Sequence, residues 1–516
     1  MRVPSKDRHF GQLFAKALPR LVLTFFLLLF SFPALVHASG VKLTILHLND
    51  THGHIVPYID KRIDDATPVS GAAYLSKMIQ DLRAANPDGT ILLSAGDMFQ
   101  GTPISNLFRG RPVIEILNYL KYDAMALGNH EFDWGQDVLR QIVSSAHFPV
   151  LSANITKGRD QYFDGVKPSI LITRKKIPIG IIGFTTTEAE YTSKPGNLAG
   201  LSIAPPEEVA PRLIKDLRSK GAALIIVLSH LGLDADRQLA RQVPGIDIIV
   251  GGHSHTAITQ PVNESGTIIV QAGCYGVYLG ALDIIFDPAK RMIVSHTEKD
   301  VLKLVSAGPR APSDPRAAEI VESYEKQVKS EFSKVIGTAS VDLTRQFHRE
   351  SSLGDLITDA LREASGAQIS FYNGGGIRAD VPMGPITLES VFTVLPFDNM
   401  LMTVQLTGEQ IRQLLEQSII SDKDLQVSGL KVEYDLSMPS GSKVLSVKVG
   451  EDSLDPVASY RVATNDFLGA GGDRYAIFAQ GRDPVFGAEV RDVVIDYIRS
   501  HSPIDTGVRD RIIFRK

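Results

Sequence analysis

The sequence predicts an α/β domain followed by a smaller α+β domain, and three observations lead to this fold class. Short runs rich in Val, Ile and Leu recur between residues 41 and 302, and each ends in Gly, Asp, Asn or His. Amphipathic helical stretches, such as residues 71–85 and 206–220, lie between these runs. This alternation is typical of layered domains with largely parallel or mixed sheets. After a proline-containing break near residue 306, helices and strands follow one another in a new α+β pattern.

Eight apolar runs define the predicted strands of the first domain. Runs of this kind, bounded by Gly and polar residues, are typical of buried strands. In chain order they read VKLTILHL, TILLSAG, AMALG, PVLSA, IPIGIIGF, AALIIVLS, DIIVGG and TIIVQAG. Proline and small residues from Ser306 onward then indicate a linker, and a charged helix is expected from about Pro315 to Lys334. We therefore divide the chain into an N-terminal domain (residues 39–305), a linker with its helix (306–337) and a C-terminal domain (338–516).

The first 38 residues have the pattern of a secretory signal peptide. Basic residues precede an apolar stretch from Leu21 to Val36, and Val36, His37 and Ala38 form a cleavage site. The alternative is an uncleaved membrane anchor, but the stretch is short for a membrane span and contains Pro33. We expect an exported protein, in a periplasm or outside the cell, with no stable membrane anchor after cleavage.

Composition narrows the classes of partner. The net charge of −4 argues against a nucleic-acid-binding protein held by electrostatics. The single cysteine, Cys274, cannot form an intramolecular disulfide, so we expect it to be buried. A chain of 516 residues can bury enough apolar surface to fold without disulfides. The sequence leaves the oligomeric state open.

Side chains suited to catalysis cluster in five motifs that directly follow predicted strands in the sequence. In open α/β sheets the carboxyl ends of the strands meet at one crevice, and residues i and i+2 at a strand end are expected to point the same way. The donors are mixed N and O atoms, enough for two ions, and they suit Zn, Mn, Fe or Co better than Ca. Two neighbouring metal ions favour in-line displacement at phosphorus. The motifs are LNDTHGH (Asp50, His52), SAGDMFQGTP (Asp97), GNHEFD (Asn129, His130, Asp133), LSHLG (His230) and VGGHSHT (His253, His255).

Together the five motifs resemble the calcineurin-like metallophosphoesterases and, within them, the 5′-nucleotidase family. The resemblance covers nearly all of the chain after the signal peptide. It implies a four-layer α/β/β/α metallophosphoesterase sandwich and a C-terminal α+β nucleotidase domain, joined by a linker helix that acts as a hinge. It also implies two divalent metal ions, which could be zinc, manganese, cobalt or magnesium. By this resemblance Asp50, His52 and His255 hold one ion, Asn129, His230 and His253 hold the other, and Asp97 bridges them.

The same resemblance assigns catalytic roles to His130 and Asp133. His130 is expected to face the phosphoryl group and to stabilise charge on the transition state or the leaving oxygen. Asp133, three residues on, is expected to orient His130 through a hydrogen bond. No role is predicted for Glu131, which lies between them in the sequence.

The C-terminal domain carries the predicted substrate residues. In FYNGGGIRAD, three glycines allow a ligand to approach the backbone closely, and a guanidinium can bind a phosphate. The resemblance implies that two aromatic rings enclose the nucleobase, that an acid binds the ribose hydroxyls, and that an asparagine reaches the base edge. The corresponding residues are Phe397 and Phe467, Asp473 and Asn399, together with Asn373, Arg378 and one further arginine, either Arg345 or Arg349.

These expectations converge on one activity. The predicted reaction is the hydrolysis of 5′-nucleoside monophosphates to nucleoside and phosphate, by in-line attack of a hydroxide that the metal ions provide. The alternatives within the family are a 2′,3′-cyclic-nucleotide phosphodiesterase with 3′-nucleotidase activity and a UDP-sugar hydrolase. A thiosulfate-ester hydrolase shares the first domain but does not need the aromatic pair. The contrasting class is a non-catalytic exported nucleotide-binding protein, which need not have kept every expected ligand position.

Overall fold

The computed structural model describes residue 1 and residues 40–515, apart from residues 61, 64–65, 159–160, 194–195, 347–348 and 421–423. The predicted signal peptide thus falls outside the described residues, except for Met1. Within the described part of the chain, none of the helices combines the length and the apolar character that crossing a membrane requires.

Two sheets form the centre of the N-terminal domain. All eight apolar runs of the sequence contain a strand, which confirms the predicted α/β class. In spatial order, the first sheet contains Met292–His296, Tyr278–Asp287, Val41–Leu48, Thr90–Ser94, Ala124–Ala126 and Val150–Leu151, and Leu302–Leu304 also pairs with Tyr278–Asp287. The second contains Val262–Glu264, Thr267–Val270, Ile248–Gly251, Leu224–His230, Ile177–Thr185 and Ser169–Arg174, and a small third sheet joins Gln161–Tyr162, Ile155–Lys157 and Ser202–Ile203.

The two large sheets pack face to face, and helices cover their outer surfaces. Alternate residues of a strand point to opposite faces. Leu43 and Ile45 therefore pack between the sheets, whereas Leu46 and Leu48 face the helices. Four layers result, in the order α/β/β/α. The first sheet is covered by helices Ala72–Ala85, Arg111–Leu120, Gln136–Ser145 and Pro315–Phe332. The second sheet is covered by helices Pro206–Ser219 and Leu233–Gln242. The connections contain the short helices Pro103–Leu107 and Ala189–Thr192 and the 3₁₀ turn His130–Phe132.

The C-terminal domain is α+β, as expected. Its strands form a five-stranded sheet (Leu425–Ser428, Ile369–Asn373, Ser459–Asn465, Met400–Thr407, Arg482–Glu489), a four-stranded sheet (Asp452–Ser453, Val444–Val449, Leu430–Asp435, Ile512–Arg515) and a pair (Val335–Ala339, Gly384–Thr387). Its helices are Ser352–Ser365, Leu388–Val394, Gly408–Ser418, Asp466–Gly469 and Val490–His501, with 3₁₀ turns at Gly374–Gly376, Gly472–Arg474 and Phe478–Gln480.

The linker helix spans Pro315–Phe332 and ends two residues before the predicted end, because Val335 already begins a strand. The Asp314 side chain caps its first turn by accepting a hydrogen bond from the backbone NH of Arg316 at 2.9 Å. Its apolar face packs into the core of the N-terminal domain. At its far end the Phe332 ring contacts Phe392 of the C-terminal domain, with centroids 4.7 Å apart. The helix therefore contacts both domains. The predicted division of the chain at residues 306–337 stays a prediction.

His47 is an unusual residue in the core of the sandwich. It lies on the first strand, is fully buried, and among the described residues neither ring nitrogen has a hydrogen-bond partner. Its ring fills the space beside Gly280, where an added Cβ would lie 2.1 Å from Nε2. Burial lowers the pKa of His47 to about 3. The sandwich therefore holds this imidazole in its neutral form.

This burial predicts a pH-dependent loss of stability. Between pH 6.5 and pH 3 the unfolded chain binds a proton at His47 that the folded chain does not, so the free energy of unfolding falls as the pH falls. At pH 5 the contribution is about 2 kcal/mol lower than at pH 8. Denaturant unfolding at both pH values should show this loss reduced in His47→Leu. It should remain in His147→Gln, which changes a histidine outside the core. Equal pH dependence in His47→Leu and the wild type would contradict the assignment.

Candidate active site

The five motifs meet where the strands of the two large sheets end. Strands Val41–Leu48, Thr90–Ser94 and Ala124–Ala126 run parallel to one another, so their carboxyl ends share one edge of the first sheet. Strands Leu224–His230 and Ile248–Gly251 are likewise parallel in the second sheet. The two edges lie together, because Oδ2 of Asp97 from the first sheet is 3.1 Å from Nε2 of His230 in the second.

One group of donors contains Asp50, His52 and His255. Nε2 of His255 lies 3.3 Å from Oδ1 of Asp50 and 3.2 Å from Nε2 of His52. One ligand atom from each of the three residues lies within 4.8 Å of the others. The structure thus brings together the three residues expected to hold the first ion.

The second group contains Asp97, His230 and His253, whose ligand atoms also lie within 4.8 Å of one another. Asn129 belongs beside it, because its Oδ1 is 3.2 Å from Nε2 of His230. Asp97 lies between the groups, since its Oδ2 is also 3.9 Å from Nε2 of His52. The bridging position expected for this carboxylate is therefore available to it.

The chemistry of the second group fits a divalent cation. Nδ1 of His230 faces the carbonyl oxygen of Ala95 at 2.7 Å, which directs Nε2 towards Asn129 and Asp97. With Nδ1–H donating to that carbonyl, a neutral His230 would turn the lone pair of Nε2 towards two oxygen acceptors. A positive charge at this point removes the repulsion between the lone pair and the oxygens. Although burial opposes it, the charge of Asp97 raises the pKa of His230 to about 9. A metal ion bound to Nε2 would supply the same positive charge in place of a proton.

Backbone strain accompanies these ligands. Five of them adopt positive φ angles, a conformation that costs roughly 1 kcal/mol or more for a non-glycine residue and that clusters at functional sites. The first strand ends at Leu48, so strand alternation does not explain why Asp50 and His52 converge, and that part of the sequence reasoning is wrong. Left-handed residues in the loops aim the side chains instead. The φ angles are 50° at Asp50, 47° at His52, 52° at Asp97, 72° at His253 and 54° at His255.

His130 and Asp133 form a pair beside these groups. Oδ2 of Asp133 lies 2.7 Å from Nδ1 of His130, across one turn of 3₁₀ helix. The His130 ring lies 5.3 Å from the His52 ring and 5.6 Å from the Phe397 ring, between centroids. Burial opposes protonation, but the charges of Asp133 and Asp97 raise the pKa of His130 above its ordinary value. The pair therefore favours a protonated imidazole, and the His130 ring faces both the metal ligands and the C-terminal domain.

A cavity of about 1020 Å³ is lined by residues of both donor groups, by His130 and Asp133, and by residues of the C-terminal domain. From the C-terminal domain it includes all the predicted substrate residues except Arg349, which is exposed and uses its backbone oxygen to accept a hydrogen bond from Gln426 at 2.9 Å. The geometry thus favours Arg345 of the two arginine candidates. The predicted residues along the wall are Asp97, Asn129, His130, Asp133, His253, His255, Arg345, Asn373, Arg378, Phe397, Asn399, Phe467 and Asp473.

The predicted nucleoside residues contact one another within this cavity. Nδ2 of Asn373 donates to Oδ2 of Asp473 at 2.8 Å. The Arg378 guanidinium lies over the Phe397 ring, 5.8 Å from its centroid. Gly472 is needed beside Phe467, because an added Cβ would come within 2.6 Å of that ring. These contacts hold the acid beside the amide and the guanidinium over the aromatic ring.

Comparison with known proteins identifies the family. Residues 43–257 match the calcineurin-like phosphoesterases, and residues 335–480 match the 5′-nucleotidase C-terminal domain. The chain is 33% identical to a snake venom 5′-nucleotidase of Crotalus adamanteus, over 93% of this chain and 90% of that one. The chain belongs to the 5′-nucleotidase family. It is accordingly a metal-dependent phosphoric monoester hydrolase with a calcineurin-like first domain.

The chain is also similar to a solved bacterial structure and to a bacterial phosphoesterase. A 5′-nucleotidase precursor from Thermus thermophilus has a structure that matches with a TM-score of 0.84 and 36% identity, over 92% of this chain and 99% of that chain. The trifunctional nucleotide phosphoesterase protein YfkN of Bacillus subtilis is 33% identical over 85% of this chain, which spans only 32% of that protein's length. The 5′-nucleotidases among these relatives favour the nucleotidase prediction over the cyclic-phosphodiesterase and UDP-sugar alternatives.

Glu131 is a residue of the site that the sequence reasoning missed. It is buried, and its two carboxylate oxygens accept three backbone NH groups, those of Gly128 at 2.6 Å, Asp97 at 2.9 Å and Met98 at 2.8 Å. Burial, together with the charge of Asp97, raises the pKa of Glu131 to about 7. Glu131 therefore ties the loop that carries Asp97 to the turn that carries Asn129 and His130. Only the three-dimensional contact between two distant motifs reveals this role.

Three other residues near the motifs, His54, Cys274 and Trp134, either contact an aromatic ring or line the cavity. Nδ1 of His54 faces the carbonyl oxygen of Thr51 at 3.0 Å, and its ring packs on Tyr275 with centroids 4.4 Å apart. Cys274 is buried, as expected, and it also lines the cavity. Trp134 lines the cavity too, and its ring lies 5.7 Å from the guanidinium carbon of Arg109.

Removing the carboxylate of Glu131 should weaken metal binding. In Glu131→Gln the amide nitrogen cannot accept a backbone NH, so the Asp97 loop loses part of its anchor. Because residues that orient metal ligands typically contribute 10–100-fold to affinity, we expect about 10-fold more Mn²⁺ at half-maximal activity of the metal-stripped protein. Asp137→Asn, on the exposed surface of the next helix, is the control. An unchanged metal requirement in Glu131→Gln would refute the anchoring role.

Proposed function

We propose that this protein hydrolyses 5′-nucleoside monophosphates to nucleoside and phosphate after export from the cell. The observation that carries the proposal is one shared cavity, which places both donor groups and His130 beside the aromatic residues of the C-terminal domain. A phosphate between the donor groups would thus have its nucleoside within reach of Phe397 and Phe467. A bare phosphatase would not need this second set of residues.

The donor groups set where the phosphoryl group binds. Asp50, His52 and His255 would hold one divalent ion, and Asn129, His230 and His253 the other, with Asp97 between them. Ions in such a site supply a nucleophile at neutral pH and positive charge opposite the phosphoryl oxygens. Zinc, manganese, cobalt and magnesium are all compatible with these N and O donors.

His130 provides the proton and positive charge that the leaving group requires. Nδ1 of His130 is hydrogen-bonded to Asp133, so the imidazole presents Nε2 to the cavity, and the charges of Asp133 and Asp97, which raise its pKa against the effect of burial, favour the protonated ring. An imidazolium there stabilises negative charge that develops on the phosphoryl or leaving oxygen. Asp133 fixes the ring orientation, which is the role of the acid in a catalytic dyad.

Recognition of the nucleoside falls to the C-terminal domain. Phe397 and Phe467 would enclose the base, and stacking tolerates every base because each has a π-face. Asp473 would accept hydrogen bonds from the ribose hydroxyls, while Asn373 holds the acid in place. Arg378 and Arg345 would bind phosphate oxygens, and Asn399 would reach the base edge. The basic and apolar pattern of residues 1–38 supports the export part of the proposal, with a periplasm as the compartment.

A substrate panel tests the activity. The purified protein should release phosphate from AMP in the presence of Mn²⁺, Zn²⁺, Co²⁺ or Mg²⁺, faster than it acts on 3′-AMP, 2′,3′-cyclic AMP or UDP-glucose. The reason is that a terminal 5′-phosphate at the donor groups would leave the base within reach of the two rings, which line the same cavity. Phosphate release can be followed with a colorimetric assay, and chelation should abolish it. The absence of release from AMP with all four metals would overturn the proposal.

His130→Ala should separate catalysis from metal binding. The loss of a charged donor to the reacting phosphoryl group is expected to lower kcat by about 100-fold or more. Metal content per chain should stay close to that of the wild type, because His130 lies outside both donor groups. Asp133→Asn should lower kcat less, since the imidazole remains. Loss of metal from His130→Ala would show instead that His130 is a ligand.

A further inference from the structure

The segment from Thr186 to Ser193 connects the second donor group to the C-terminal domain. Oε1 of Glu188 accepts a hydrogen bond from Nη2 of Arg474 at 2.7 Å, across the domain boundary. Oε2 of the same carboxylate lies 3.3 Å from Nε2 of His253. Glu188 therefore contacts a residue of each domain at once, and one of these is a proposed metal ligand.

The same segment also supports Asn129. Nδ2 of Asn129 donates to the carbonyl oxygen of Thr192 at 3.5 Å, and Oγ of Ser193 donates to the carbonyl oxygen of Asn129 at 2.7 Å. Two of the donors proposed for the second ion thus rest against one short stretch of chain.

On the opposite side, Arg474 belongs to the turn that carries the proposed ribose-binding acid. It directly follows Asp473, and both residues have left-handed backbones, with φ angles of 52° and 66°. Non-glycine residues adopt this conformation only when their surroundings hold them there. The Asn373–Asp473 hydrogen bond anchors the turn from the five-stranded sheet. The position of the Arg474 guanidinium against Glu188 is therefore coupled to the turn that positions Asp473.

We propose that the Glu188–Arg474 contact is a positioning link, which holds the nucleoside-binding turn of the C-terminal domain against the second metal site. This inference rests on the proposed function and goes beyond it, because it assigns substrate selection to two residues outside the reacting centre. A ligand that fixes Asp473 also fixes Arg474, and the contact with Glu188 then stabilises the arrangement in which the phosphate faces the donor groups. By thermodynamic linkage, the contact must in turn strengthen nucleoside binding.

Another ion pair across the same boundary provides a matched control. Nη1 of Arg109 donates to Oδ2 of Asp398 at 2.9 Å, and the side chains of this pair are about as exposed as those of Arg474 and Glu188. Arg109 makes no hydrogen bond to a proposed metal ligand within the described part of the chain. Loss of this pair therefore removes one contact between the domains and leaves the contacts of Glu188 with Arg474 and His253 intact.

The test compares binding of the two reaction products. In Glu188→Gln and in Arg474→Gln, the inhibition constant of adenosine and the KM for AMP should each rise about threefold, the effect expected of a partly exposed ion pair. The inhibition constant of inorganic phosphate, which probes the phosphate-binding residues without the nucleoside, should change by less than about twofold. In the double variant, the inhibition constant of adenosine and the KM for AMP should be no higher than in the more affected single variant, because the two changes remove the same contact. Arg474→Lys should restore part of the loss, and Arg109→Gln should leave the ratio of the two inhibition constants unchanged.

Two results would overturn the link. A parallel rise in the constants for adenosine and phosphate would mean that Glu188 acts only on the metal site. Additive effects in the double variant would mean that the two side chains act independently. Both results require a wild-type enzyme that hydrolyses AMP, so they are distinguishable from failure of the proposed function, in which the wild type itself is inactive.

Discussion

The structure depends on one electrostatic constraint, the convergence of acceptor atoms where the two sheets end. Nε2 of His230 faces Oδ2 of Asp97 and Oδ1 of Asn129 within about one hydrogen-bond length, and a positive charge, on the protonated ring or on a bound cation, stabilises such an arrangement. Three features of the surrounding structure support this arrangement of donors. Left-handed backbones turn the donors inward, carbonyl oxygens fix the imidazole rings from behind, and Glu131 holds two of the loops together through their NH groups.

The second domain turns a phosphate site into a nucleotide site. The His130 ring lies between the His52 ring and the Phe397 ring, so the reacting centre and the proposed base platform are in direct contact. Pro396, next to Phe397, accepts hydrogen bonds from the side chains of Gln100 at 3.1 Å and Asn106 at 2.6 Å. The N-terminal domain thus holds the platform in place. The proposed substrate site is therefore formed by residues of both domains.

Much of the fold could be predicted from the sequence, because buried parallel strands leave clear apolar runs and the motifs directly follow them. The donor set could be predicted for the same reason, although Asp50 and His52 converge through left-handed loops rather than through strand alternation. Glu131 and Glu188 could not be found, because each acts on residues that are distant in sequence. The choice between Arg345 and Arg349 also required the structure, since the spacing of the motif permits both.

The central proposal is that the two donor groups would hold two divalent ions with Asp97 between them, and electron paramagnetic resonance with Mn²⁺ tests it most directly. Titration of the metal-stripped protein should give two ions per chain, about 3.5–4 Å apart in such sites. At that separation the account predicts a spectrum of exchange-coupled Mn²⁺ at full occupancy, which becomes uncoupled in Asp97→Ala. A spectrum of a single isolated ion, or of two uncoupled ions in the wild type, would contradict the account.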